Sequence, residues 1–60
     1  MSMLDFLAAL QQVFRQRGHS FRLEQLLNYV EDVWPLIADN PEPDYWSDRF
    51  LETQWLRAAG

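Results

Sequence analysis

Residues 3–37 read MLDFLAALQQVFRQRGHSFRLEQLLNYVEDVWPLI, and the spacing of their apolar side chains decides the fold. Met3, Phe6, Leu7, Leu10, Val13 and Phe14 recur at helical intervals. With about 100° of rotation per residue they occupy roughly a third of the circumference, the mark of a helix with one apolar stripe. Gln11, Gln12, Arg15 and Gln16 take the other side. Ser2 followed by Asp5 is close to a capping box, and Gly18 supplies a residue that tolerates the left-handed conformation ending many helices. The pattern predicts helix 1 over residues 3–17.

Gly18-His19-Ser20 then reads as a short turn, with Ser20 placed to cap the second helix. Leu23, Leu26, Leu27, Val30, Val33, Trp34 and Ile37 project to one side, with Glu24, Asn28, Glu31 and Asp32 opposite. Helix 2 is predicted over 21–34, stopping or kinking at Pro35, whose ring collides with the carbonyl four residues back and whose nitrogen donates no hydrogen bond. A connection this short places consecutive helices antiparallel, so helices 1 and 2 form a hairpin with facing stripes.

Residues 39–44, DNPEPD, form a stiff polar connector. A third helix is predicted over 44–58, capped by Asp44, with Ser47 as a later alternative start. Its pattern is looser. Trp46, Phe50, Leu51, Trp55 and Ala58 spread over about half the circumference, and Tyr45 and Leu56 lie opposite. A helix apolar on two sides is usually contacted on two sides. Asp44, Asp48 and Glu52 form a like-charged column four residues apart, to be solvated or matched by a basic partner. No alternating segment is long enough to argue for a strand. The fold class is therefore all-α, a single helical domain over 1–60 built as a hairpin plus a third helix, with Leu7, Leu10, Phe14, Leu26, Leu27, Val30 and Trp34 as the expected core.

Composition bounds how such a module is stabilised. A 60-residue chain buries only about 60% of the surface its unfolded state exposes. There is no cysteine to form a disulfide, and His19 is the only imidazole, which argues against a structural zinc site. Association remains as the usual remedy, so a homo-oligomeric helical bundle is expected. Trp34, Trp46 and Trp55 all lie in the second half of the chain, beside Tyr29, Tyr45 and Phe50. Large aromatics dominate interfaces as well as cores.

Side chains able to do chemistry are few. His19 stands in a turn with no cysteine or serine motif to activate, and adjacent Glu31 and Asp32 diverge on a helix instead of converging on a substrate. Glycine occurs only at 18 and 60, so no phosphate loop is possible. No catalytic, cofactor or metal residue is assigned. A net charge of −4 disfavours nucleic acid. A helix-turn-helix DNA reader is the alternative, with Arg15, Arg17 and Arg22 as phosphate contacts and Asp44, Asp48 and Glu52 opposing it. No apolar run is long enough to span a membrane, and the N-terminus lacks the features of a secretory signal, so a cytoplasmic location is the expectation. The expected role is a non-enzymatic protein–protein interaction module, binding itself or another protein as a small acidic regulator or adaptor. Its expected partner-binding residues are Tyr45, Trp46, Phe50, Trp55 and Leu56.

Overall fold

A computed structural model describes the backbone of residues 1–59 and the side-chain surroundings of residues 1–53. Three helices follow one another, α1 Met3–Arg17, α2 Leu23–Ile37 and α3 Pro43–Ala59, and the described residues contain no strand. The protein is an all-α three-helix module.

The ends of α1 are set by residues next to them in sequence. Ser2 Oγ accepts the Asp5 N–H at 3.1 Å and the Asp5 carboxylate accepts the Ser2 N–H at 3.3 Å, which completes the capping box. The backbone hydrogen bond from Ser2 holds the Asp5 carboxyl below its ordinary pKa. At the other end Gly18 sits at φ 72°, in the left-handed region. Its N–H donates to the Arg15 carbonyl at 3.2 Å and the His19 N–H to the Phe14 carbonyl at 2.9 Å, the paired bonds of a Schellman turn.

Helix α2 departs from expectation at its start, and at Pro35 it takes the continuing one of the two expected courses. It starts at Leu23, two residues later than the stripe suggests, and Ser20 does not cap it. Arg22 takes the N-cap position in an extended conformation with no side-chain hydrogen bond. The reason is tertiary: the extended lead-in lets the Phe21 ring reach Phe14, with ring centroids 5.5 Å apart. At its far end the helix passes through Pro35 and reaches Ile37. One backbone hydrogen bond is lost, the one the Glu31 carbonyl would accept, in a stretch where Glu31, Pro35 and Leu36 are all exposed to water. Continuing the helix brings Ile37, 7% exposed, into the core, and burying such a side chain contributes about 1.5–3 kcal/mol.

Helix α3 begins at Pro43, one residue before the expected start. Proline suits the first helical position because its missing N–H would have had no partner there. Asp44 is accordingly in the first turn, beside the positive end of the helix dipole, and is not the cap. Ser47 is fully buried within the helix, and its hydroxyl donates to the Pro43 carbonyl at 2.7 Å.

The core comprises Phe6, Leu7, Leu10, Phe14, Leu26, Val30, Ile37 and Phe50. Of the expected core residues, Leu27 and Trp34 are only half-buried and pack against its edge. Helix α1 is the central element and packs against both α2 and α3. The hairpin is antiparallel, since Phe6 meets Trp34 at one end (5.6 Å) and Phe14 meets Phe21 at the other. Phe50 brings α3 against both partners, 5.6 Å from Phe14 and 5.0 Å from Tyr29.

Two sets of substitutions test this packing by denaturant unfolding. Leu26→Ala removes a fully buried side chain and should cost about 2–5 kcal/mol, whereas half-buried Leu27→Ala should cost clearly less and exposed Glu31→Ala almost nothing. Gly18→Ala meets no steric obstruction, so its cost should be the left-handed strain alone, about 1–2 kcal/mol, with Gly18→Asn milder. A larger loss for Leu27 than for Leu26 would mean that the buried face of α2 is misassigned.

Candidate interaction surface

The side chains expected to face a partner separate into different environments. Phe50, expected to face a partner, is 5% exposed and lies between Phe14 and Tyr29, as part of the core of the chain. Trp46 is half-buried and packs on the edge of the same core. Tyr45 is 50% exposed and rests edge-on against Trp46, with centroids 5.0 Å apart and planes at 90°. Trp55 and Leu56 lie outside the residues whose side chains are described. The loose apolar pattern of α3 thus resolves, up to residue 53, into an inner face of Trp46, Ser47 and Phe50 and an outer face bearing Tyr45.

The acidic column of α3 is largely matched from within the chain. Asp48 accepts from the Arg17 guanidinium at the end of α1, and Glu52 accepts from Arg49 at 3.2 Å. All four groups are well exposed, so each pair contributes only about 0–1 kcal/mol. Their consequence is electrostatic: Arg17, one of the three arginines considered for phosphate contact, is already committed to a carboxylate.

The stripes predicted no surface role for Leu4 or Leu36, yet these are 67% and 83% exposed. The signal was present, because both leucines fall outside the apolar stripe of their helix. Leu23, expected within the stripe of α2, is 54% exposed because it is the first residue of that helix. Concave features are shallow. One open depression runs between the start of α2 and α3, lined by Ser20, Phe21, Arg22, Gln25, Phe50 and Leu51, and another follows Pro41 to Tyr45. Among the described residues no three side chains of the histidine, aspartate and glutamate type gather as a metal-binding cluster, and no helix is long and apolar enough to cross a membrane.

Tyr29 is the one internal polar link between α2 and α3 among the described residues. Its hydroxyl donates to the Trp46 carbonyl at 2.9 Å, and burial raises its pKa to about 12. The fold therefore favours the neutral phenol. Its stabilising contribution is fully present below the unfolded value near 10 and is lost as pH rises from about 10 through about 12. Alkaline unfolding should accordingly steepen above about pH 10, and Tyr29→Phe should flatten that dependence while costing some stability at neutral pH. An unchanged alkaline slope in the variant would show that Tyr29 is not the linked group.

The chain matches no protein-family model, no curated protein and no solved structure.

Proposed function

We propose that the chain is a non-enzymatic protein–protein interaction module that associates with itself through the outer face of α3 and docks another protein as a small acidic regulator or adaptor. The observation that carries this reading is the exposure of large apolar side chains on so small a body: Met1, Leu4, Leu23, Leu36 and Tyr45 are each at least half exposed. Apolar surface left in water forgoes about 25 cal/mol per Å², and of these five side chains Tyr45 is the one on the outer face of α3. Tyr45 suits an anchoring role. Its ring is held against Trp46, so little side-chain freedom remains to be lost on binding, and one side of it stays open to a partner.

Sedimentation equilibrium over two decades of concentration tests the reading. The average mass of the wild-type chain should rise with concentration, and more strongly at higher salt, because each copy carries a net charge of −4 that salt screens. Tyr45→Ala should weaken association by about tenfold, equivalent to about 1.4 kcal/mol, while far-ultraviolet circular dichroism is unchanged. A monomer mass at every concentration would remove self-association from the proposal.

A further inference from the structure

The Phe6–Trp34 and Phe14–Phe21 contacts give the hairpin two chemically different ends. The turn end gathers Arg15, Arg17 and Arg22, and the Arg17–Asp48 pair brings the Asp48–Arg49 stretch of α3 to it. The open end holds the start of α1 and the end of α2, and there Met1, Leu4 and Leu36 are 65%, 67% and 83% exposed. Between Arg22 and Arg49 the chain has no basic residue. Glu31, Asp32, Asp39 and Glu42, on the last turns of α2 and the connector beyond it, form no ion pair among the described residues. Individually exposed apolar side chains, and carboxylates that form no ion pair among the described residues, thus lie toward the same end of the bundle.

We propose that this open end docks a cationic amphipathic segment of another protein, whose apolar side chains cover Leu4 and Leu36 while its arginines or lysines meet the carboxylates of Glu31, Asp32, Asp39 and Glu42. The inference rests on the interaction-module reading and names the chemistry of the heterologous partner. Charge complementarity selects that occupant over a second copy. Another copy is itself net acidic, and two of the cations at its turn end, Arg17 and Arg49, are already paired with Asp48 and Glu52. A partner bearing free cations gains attraction where a second copy meets mainly like charge.

The test is a titration of the isotope-labelled full chain with a synthetic helical peptide carrying leucines on one face and arginines on the other, followed by amide chemical shifts. Two control peptides replace all arginines by glutamate or all leucines by glutamine. Shifts should concentrate at residues 3–7 and 31–42, and both control peptides should bind at least tenfold more weakly. Raising ionic strength from roughly 0.01 M to roughly 0.15 M shortens the screening length from about 30 Å to about 8 Å and should also weaken binding. Leu36→Ser and the double variant Asp39→Asn/Glu42→Gln should each reduce affinity by about tenfold, a loss of about 1.4 kcal/mol, while Glu24→Gln on the first turn of α2 should change it little. Leu36 and Asp39 are exposed, so circular dichroism should show the variants folded.

Equal binding of the glutamate peptide would overturn the proposal, as would shifts centred on Tyr45 or on Ser20–Gln25. If Leu36→Ser abolishes self-association in sedimentation, the occupant of this end is a second copy and the proposal of a cationic partner fails, although the interaction-module reading stands. If the peptide does not bind but wild-type chains associate through Tyr45, the docking end is wrong and the self-association reading survives.

Discussion

Phe14 is the residue on which the other contacts depend. Its ring meets Phe21 ahead of α2 and Phe50 in the middle of α3, and its carbonyl receives the His19 N–H that closes the first turn. Aromatic contacts of this kind contribute about 0.5–1.5 kcal/mol each beyond the area they bury. Against a typical net stability of about 0.05–0.15 kcal/mol per residue, two such contacts at one side chain are a substantial contribution. They also explain why α1 lies at the centre. The hairpin is only half of the fold, and its apolar face is completed when Phe50 closes over Phe14 and Tyr29.

What the sequence disclosed and what it concealed divide along the range of the interactions involved. The limits of α1 were legible because Ser2, Asp5 and Gly18 act on backbone groups a few residues away. The start of α2 was not, and at Pro35 local preference left two courses open. Its start is set by the reach of Phe21 to Phe14, and its passage through Pro35 by the burial of Ile37, and both are tertiary demands that override local preference. On α3 the helical projection separates Phe50 from Tyr45, but with apolar residues on both sides it does not say which of the two turns inward. Two members of the acidic column are paired within the chain, Asp48 with Arg17 across 31 residues of sequence and Glu52 with Arg49.

The internal ion pairs matter less for stability than for the charge they remove from the surface. Exposed pairs contribute little to folding, but neutralising Asp48 and Glu52 near the turn end leaves the net negative charge weighted toward α2 and the connector. In a body of 32 × 23 × 19 Å that asymmetry extends over distances longer than the screening length at physiological salt. The described charges therefore give the two ends of the molecule different potentials.

The size of the core links these features. Phe6, Phe14 and Phe50 with five aliphatic side chains occupy the space between three short helices, and an interior packed at crystal-like density accepts no further large groups without strain. Leu4 and Leu36, positioned off the inward stripes, are left outside on surfaces the core cannot reach. Such groups favour association, and a net charge of −4 opposes it between like copies. The same carboxylates attract any partner of opposite sign. A surplus of apolar surface and a surplus of negative charge thus act in opposite senses between like copies, the first favouring contact and the second opposing it.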